Sequence, residues 1–150
     1  MSYYNYSWKE IRTWSNRYQS YGVLTSQGGT YEHPRTKHIT TVGARCMVHD
    51  SVYLGDYVVL GDNVLIYRGC AIGFRVQVRS NSMIGKFTTV GAYSWIGHNV
   101  CIGEDCVIEE GCTIGSHVTI NGSCRILKGT TIPDYTVVPA FTTWGEGDQR

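Results

Sequence analysis

The stretch Ile84-Gly85-Lys86-Phe87-Thr88-Thr89-Val90-Gly91-Ala92-Tyr93-Ser94-Trp95-Ile96-Gly97 places an aliphatic residue at every sixth position. The same spacing extends in both directions, over seventeen positions that are all Ile, Leu or Val. These positions are Val42, Val48, Leu54, Leu60, Ile66, Ile72, Val78, Ile84, Val90, Ile96, Ile102, Ile108, Ile114, Ile120, Ile126, Ile132 and Val138. A helix favours an apolar period of about 3.6 residues and a half-buried strand a period of two. A period of six therefore indicates a different, repetitive architecture.

A strict period of six is typical of a parallel β-helix. We call the aliphatic position i; residues i and i−2 are then predicted to point inward from a short strand, with i−1 pointing outward. Position i−2 is generally small or β-branched, as at Val58, Ser82 and Val118. We expect the Gly that often follows position i to adopt the backbone angles of a corner. Three hexads close one triangular coil, so residues 42–138 predict about five coils, wound left-handed as hexapeptide coils generally are.

The repeat divides the chain into three predicted segments. Residues 1–41 form an N-terminal cap or lead-in, residues 42–141 the hexapeptide β-helix, and residues 142–150 a short C-terminal tail. The first segment is rich in Tyr and Trp, and Ser7-Trp8-Lys9-Glu10 fits the capping box of a short helix. Because exposed strand edges promote aggregation, capping the first coil is the predicted role of this segment.

Composition narrows the function classes. Apolar residues make up 42% of the chain and charged residues 17%, which predicts a packed core rather than a disordered chain. The net charge of +1 gives no long-range attraction to nucleic acid or to an anionic membrane. The apolar runs are too short for a membrane span, and residues 1–9 lack an apolar signal core. We therefore expect a cytoplasmic protein.

The repeat keeps its phase from 42 to 138, without the inserted loop that usually carries catalytic groups in hexapeptide-repeat enzymes. The cysteines do not suggest a site either. Five of the six occupy the inward i−2 position, Cys101 alone points outward, and no C-x-x-C motif is present. Buried, reduced thiols are the expected state. No catalytic residue, metal ligand or cofactor is predicted.

Two enzyme classes that share this fold form the alternative. His98, in Ile96-Gly97-His98-Asn99-Val100, resembles one of the three zinc ligands that gamma-class carbonic anhydrases hold between subunits. That resemblance implies His at two further positions, which are Gly103 and Asp62 in this chain. One ligand of three cannot hold a catalytic zinc.

Acyltransferases of this fold use a His base and usually a C-terminal helix. The residues after Pro139 include Gly145 and Gly147 and do not predict a helix. Either enzyme would act as a homotrimer, so oligomeric state separates this alternative from a non-enzymatic scaffold.

Residues 18 apart are predicted to stack in neighbouring coils. One such corner consists of Asp50, Arg68, Lys86 and Glu104, with opposite charges in adjacent coils at both ends of the stack. Glu110 is expected to pair in the same way with Lys128. A third stack consists of Asn63, Asn81 and Asn99, followed by His117. Because Asn tolerates left-handed backbone angles, this stack is interpreted as a corner amide ladder.

One wall of the predicted prism is different, because its outward residues are mainly aromatic or long-chained. We predict a protein interface there, formed by Tyr57, Val59, Phe74, Arg75, Gln77, Tyr93 and Trp95. Tyr57, Arg75 and Tyr93 would form an aromatic–cation–aromatic ladder. Tyr, Trp and Arg are enriched at interface hot spots, and Trp95 is predicted to be solvent-exposed. The alternative is that residues 1–41 fold back and cover this wall.

The two ends of the repeat carry a family resemblance. Its close contains Cys124-Arg125-Ile126-Leu127, Thr131-Ile132-Pro133 and Thr136-Val137-Val138-Pro139-Ala140-Phe141-Thr142. Its approach contains Glu10-Ile11-Arg12-Thr13-Trp14-Ser15-Asn16 and Val23-Leu24-Thr25-Ser26-Gln27. Both resemble the dynactin subunit 5 family, small pointed-end subunits related to gamma-class carbonic anhydrases.

This resemblance implies a non-enzymatic structural and adaptor subunit of the cytoplasm and cytoskeleton, without a cofactor. The implied partners are the related dynactin subunit 6, an actin-related protein, dynactin subunit 4 and cargo adaptors of dynein-driven transport along microtubules. It also implies an extended lead-in, against the helix that the capping box of Ser7 to Glu10 predicts.

Overall fold

The computed structural model describes residues 5–6, 22–24, 29–32, 39–49 and 51–145. In this part of the chain the structure is all-β: 21 short strands and no helix. Strands β4 to β21 form a left-handed parallel β-helix, which confirms the fold class predicted from the period of six. No helix in the described residues has the length and apolar character needed to cross a membrane.

The β-helix is a triangular prism with three flat walls, which we call faces A, B and C. Face A contains β4 (Ile39–Val42), β7 (Val58–Leu60), β10 (Gln77–Val78), β13 (Trp95–Ile96), β16 (Thr113–Ile114) and β19 (Thr131–Ile132). Face B contains β5 (Met47–His49), β8 (Leu65–Ile66), β11 (Met83–Ile84), β14 (Cys101–Ile102), β17 (Thr119–Ile120) and β20 (Val137–Val138). Face C contains β6 (Tyr53–Leu54), β9 (Ala71–Ile72), β12 (Thr89–Val90), β15 (Val107–Ile108), β18 (Arg125–Ile126) and β21 (Thr143–Trp144). Each strand pairs with the strand one coil away in a register of 18 residues, as Gln77 does with Val59 and Trp95.

Six coils are present in the described chain, so the prediction of about five was too low. The first coil starts at Ile39 of β4, before the first counted position. The last coil ends at Trp144 of β21, which stands six residues after Val138 and is half-buried against the core. The count of aliphatic residues ended at Val138 because the next residue of the period is aromatic. Strand β21 lies in the segment 142–150 that was predicted as a tail.

The core is a column of side chains from positions i and i−2, as predicted. Every aliphatic position from Val42 to Val138 is at least 98% buried. At positions i−2 the buried side chains are shorter, such as Val58, Val76 and Val118. Each buried aliphatic side chain contributes about 1.5–3 kcal/mol relative to exposure, so the ladder of Ile, Leu and Val provides most of the stabilisation.

The corners correct one expectation about glycine. The left-handed backbone lies at position i+3, where thirteen non-glycine residues have φ of 57–66°. Asn63, Asn81 and Asn99 are among them, which confirms the predicted corner stack of amides. The Gly after position i has a different role: a Cβ on Gly91 would lie 2.6 Å from the backbone nitrogen of Glu110. This glycine is needed for the close approach of neighbouring coils, and its predicted use of special corner angles was wrong.

Hydroxyl and thiol groups at position i−2 form a regular hydrogen-bond system inside the prism. Eight of these groups donate to a backbone carbonyl 15 residues ahead, in the next coil, whereas the hydroxyls of Thr40 and Thr130, in the first and last coils, have no hydrogen-bond partner in the described part of the chain. The thiol of Cys70 donates to Gly85 at 2.9 Å, and the hydroxyl of Ser82 donates to Gly97 at 2.8 Å. Cys46, Thr88, Ser94, Cys106, Cys112 and Cys124 repeat the arrangement. The inward cysteines thus satisfy corner carbonyls that the core would otherwise leave without a donor.

Burial also lowers the reactivity of these thiols. It raises the pKa of Cys70 to about 11, and it raises the pKa of Cys106 and Cys112 above the ordinary value. Because the thiolate is the nucleophile, a raised pKa keeps these groups in the unreactive form at neutral pH. Five of the six cysteines are buried, and Cys101 alone is partly exposed.

We expect iodoacetamide to modify the inward cysteines of the folded protein much more slowly than Cys101 in dilute solution, because burial limits access and ionisation. After unfolding in guanidinium chloride, all six should react at similar rates. Mass spectrometry of the digested protein would measure each site. Fast labelling of Cys70 or Cys112 in the folded chain would contradict the buried arrangement.

The two ends of the prism differ. At the N-terminal end, β3 (Gly29–Glu32) pairs antiparallel with β4, β2 (Gly22–Leu24) pairs antiparallel with β5, and β1 (Asn5–Tyr6) pairs with β3. These strands extend faces A and B over the first coil, where the sequence predicted a cap. The predicted capping-box helix at Ser7-Trp8-Lys9-Glu10 lies outside the described residues.

Proline marks the C-terminal end. In earlier coils the backbone N–H at position i+1 donates to the next coil, as Gly115 does to Ile132 and Asn121 to Val138. In the last coil these positions are Pro133 and Pro139, which have no N–H. The outermost strands of faces A and B therefore lack a donor that a seventh coil would need, which protects the edge against further strand addition.

Of the two predicted charge pairs whose residues are both described, one forms. Lys128 Nζ lies 4.0 Å from Glu110 Oε1, as expected. Lys86 and Glu104 stack in adjacent coils, but no ion pair forms between them, and Asp50 lies outside the described residues. An unpredicted pair joins Arg125 to Glu109 at 2.6 Å, and this hydrogen bond lowers the pKa of Glu109.

Candidate protein-binding surface

The corner between faces C and A, which we call the CA corner, carries an exposed cluster of aromatic and cationic side chains. Tyr57, Arg75 and Tyr93 occupy equivalent i+3 positions of three successive coils. Phe74 stands at the neighbouring i+2 position. Tyr57 and Tyr93 are 64% and 63% exposed, and Phe74 is 37% exposed. Tyr57, Arg75 and Tyr93 thus lie in line in successive coils, as predicted from their spacing, but on a corner rather than on a strand.

These side chains contact one another along the corner. The guanidinium carbon of Arg75 lies 5.1 Å from the ring centre of Tyr57 and 5.3 Å from that of Phe74. Phe74 meets Tyr57 and Tyr93 edge-on, at 5.9 Å and 5.5 Å between ring centres. Arg75 therefore contacts Tyr57 as predicted, but its second ring is Phe74 and not Tyr93, and Phe74 connects Tyr57 to Tyr93. We call Tyr57, Phe74, Arg75 and Tyr93 the corner ladder.

The corner ladder is held in backbone that is costly for large side chains. Tyr57, Arg75 and Tyr93 have φ of 62°, 60° and 66°, in the left-handed region. The next two positions of the same corner are Gly111 and Gly129, with φ of 68° and 72°. A residue with a Cβ costs about 1–2 kcal/mol in this conformation, which Gly avoids. The fold itself therefore does not require Tyr or Arg here.

Face A extends the surface beside the corner ladder. Val59, Gln77 and Trp95 are registered neighbours in β7, β10 and β13 and point outward from successive coils. Val59 is 38% exposed and Gln77 is exposed, but Trp95 is half-buried. The prediction of a solvent-exposed Trp95 was therefore wrong: its ring lies partly covered on the wall.

The residues considered for zinc do not gather into one site. His98 and Asp62 lie on the corner between faces A and B, two coils apart, and Gly103 lies on the corner between B and C. There they complete the corner hydrogen bonds: Asp62 accepts from the N–H of Ala44, and the N–H of His98 donates to Ser116. Within the described ranges, no three His, Cys, Asp or Glu side chains lie close enough to share a metal ion.

Sequence reasoning missed a second set of exposed rings. Phe87, Tyr135 and Phe141 also lie at corners with left-handed φ and are 53%, 73% and 83% exposed. His117 stacks on Tyr135 with 4.8 Å between ring centres. The sequence feature that could have identified them is an aromatic residue at position i+3. This feature indicates an exposed corner ring only when position i+3 is known to have left-handed backbone angles.

Comparison with known proteins identifies the repeat. Residues 87–122 match the family model described as "Bacterial transferase hexapeptide (six repeats)". The match covers 36 of the 150 residues, and the six triangular coils continue the same repeat on both sides of it. The chain has the repeat and the fold of a hexapeptide-repeat protein. No curated protein matches this hexapeptide-repeat protein. The matched segment includes Tyr93 and Trp95 and ends before the last coil.

Proposed function

We propose that this hexapeptide-repeat protein is a non-enzymatic structural subunit that binds a protein partner through the corner ladder and the adjoining part of face A. The observation that carries the proposal is the exposure of Tyr57 and Tyr93 at left-handed positions where Gly serves elsewhere on the same corner. Exposed aromatic and Arg side chains fixed in mutual contact are the usual anchors of protein interfaces.

The proposed assembly is the pointed end of a dynactin-like complex, in the cytoplasm and on the cytoskeleton. This part of the proposal rests on the resemblance at the two ends of the repeat. The proposed neighbours are the subunit 6-like and subunit 4-like proteins, an actin-related protein and cargo adaptors. In this role the rigid prism would hold the corner ladder in place, because the anchors need no reordering on binding.

Affinity purification of the tagged full-length protein from its own cells, followed by mass spectrometry, tests this function. Actin-related proteins and dynein chains among the captured proteins are expected. A homotrimer without these proteins would contradict the proposal. Such a trimer with zinc or acyl-transfer activity would favour an enzyme.

The double substitution Tyr57→Gly and Tyr93→Gly is expected to weaken capture of the partner by at least about 30-fold, as loss of hot-spot side chains does. Folding should be preserved, because Gly accepts the left-handed backbone without strain. Binding of purified partner to wild type and variant would be compared by titration.

The matched control is Tyr135→Gly, which removes an exposed ring at the same backbone position of another corner. It should leave partner binding unchanged. Equal loss of binding in both variants, or none in the double variant, would show that the corner ladder is not the binding surface.

A further inference from the structure

Face B is the wall whose outward column has neither a charged nor an amide side chain in any of its six coils. The column consists of Met47, Leu65, Met83, Cys101, Thr119 and Val137. By contrast, face C carries Arg125 and face A carries Gln77 at equivalent positions. Val137 is 65% exposed, and the Met and Leu side chains are half-buried. Face B is thus a flat apolar strip that runs the length of the prism.

Exposed rings border this strip at its C-terminal end. Tyr135 lies on the corner between faces A and B, and Phe141 on the corner between B and C. They are the most exposed large hydrophobic side chains of the described chain, at 73% and 83%. Both hold left-handed φ, although Asn99 and Gly69 show that other residues fit these corners. The two rings thus lie on the corners to either side of Val137 in the last coil.

Two pairs of opposite charges flank face B at positions symmetric about its middle, whereas Arg68 and Asp62 on the same corners have no charged counterpart. On the BC corner, Lys86 lies in the third coil and Glu104 in the fourth. On the AB corner, Arg45 lies in the first coil and Asp134 in the sixth. The two residues of each pair have opposite charges and lie equally far from the midpoint between the third and fourth coils. A rotation of 180° about an axis at that midpoint, parallel to the strands of face B, moves each residue to the position of the other member of its pair.

We propose that face B binds a second copy of this chain, antiparallel, about a two-fold axis between the third and fourth coils. This axis places Lys86 opposite the partner's Glu104, and Arg45 opposite the partner's Asp134. In the centre, Met83 meets the partner's Cys101, and Met47 meets the partner's Val137. The contact is the same on both copies, as a closed two-fold dimer requires.

A second copy fits this face because the strip and its flanking charges are self-complementary. Lys86 and Glu104 form no ion pair within the described chain, so both are available to a partner. Met side chains adapt their shape to a facing apolar surface. Face B lies across the prism from the CA corner, so the dimer leaves the corner ladder free on both copies. This inference therefore does not depend on the proposed function.

Sedimentation velocity over a concentration series is the direct test with the full-length protein. Wild type should show a species of twice 16.8 kDa that dissociates on dilution. Met83→Glu, at the centre of face B, should raise the dissociation constant at least about 100-fold, because it buries an unpaired charge. Thr89→Glu, at the equivalent position of face C, should leave the dimer unchanged. Circular dichroism and thermal melting would establish that both variants fold.

Charge reversal tests the orientation. Lys86→Glu should weaken the dimer, and adding Glu104→Lys should restore it, since the two residues face each other across the axis. A dimer weakened by Lys86→Glu but not restored by the second change would overturn the antiparallel arrangement. A monomer at all concentrations, a trimer, or a dimer unaffected by Met83→Glu would overturn the interface itself. Partner capture by the Met83→Glu variant should persist, so failure here is distinct from failure of the corner ladder.

Discussion

Replacing Gly91 by Ala is expected to destabilise the protein by about 3 kcal/mol, because the new methyl group meets the backbone of the next coil. The added Cβ would lie 2.6 Å from the nitrogen of Glu110 and 2.7 Å from the carbonyl carbon of Glu109. Neither atom belongs to a flexible side chain, so the coils themselves must separate. Urea unfolding of wild type and variant would give the difference in free energy.

Gly111→Ala is the matched comparison. A Cβ at Gly111 meets nothing within 4 Å, but the residue has a φ of 68°. The expected cost is about 1–2 kcal/mol, from the left-handed backbone alone. Both substitutions restrict the unfolded chain equally, so that contribution cancels in the comparison. Equal destabilisation in the two variants would mean that close packing of the coils does not constrain Gly91.

The second large effect is expected at Ile96, which points into the core, and it is compared with the effect at the adjacent Trp95, which points outward. Ile96 is fully buried between Val78 and Ile114, its registered neighbours in the coils on either side. Ile96→Ala should lower the free energy of unfolding by about 2–5 kcal/mol, through lost burial and the cavity that remains. Trp95→Ala should cost only about 1 kcal/mol, since the half-buried ring can be replaced by water.

Differential scanning calorimetry would rank the two variants by their melting temperature, and partner titration would give a second readout. Trp95→Ala should reduce binding to the proposed partner while melting changes little. If Trp95→Ala melts as low as Ile96→Ala, the tryptophan belongs to the stability of the wall and not to its binding surface.

The core of this fold could be predicted from the sequence because the pattern that indicates it is local and repeated. One buried aliphatic in every hexad determines the strand, its inward direction and its 18-residue register, so the whole core followed from one period. The corners could not be derived in this way. Glycine at position 91 is explained either by a special φ or by close packing against the next coil. The distance to the next coil decides between these explanations, and the sequence does not give that distance.

The alignment of the candidate surface residues in successive coils was predicted, but their place on a corner was not. Stacking at intervals of 18 identified Tyr57, Arg75 and Tyr93, because the period alone places them in line. The same interval places Lys86 and Glu104 next to each other in adjacent coils, but their long side chains form no ion pair. The exposure of Trp95 was wrong for a similar reason: an outward direction does not determine how much of a large ring its neighbours cover.

The regular pairing of strands also determines how the chain can fold. Each parallel pair within the β-helix joins residues 18 apart in a chain of 150, a separation of about 0.12 of the length. That is short for an all-β protein, where distant pairings usually make the search for the native state slow. The entropy lost on closing each coil is the same small amount, because every loop has the same length. A nucleus can therefore form at any coil and grow in both directions, until it meets the antiparallel strands at one end and the two prolines at the other.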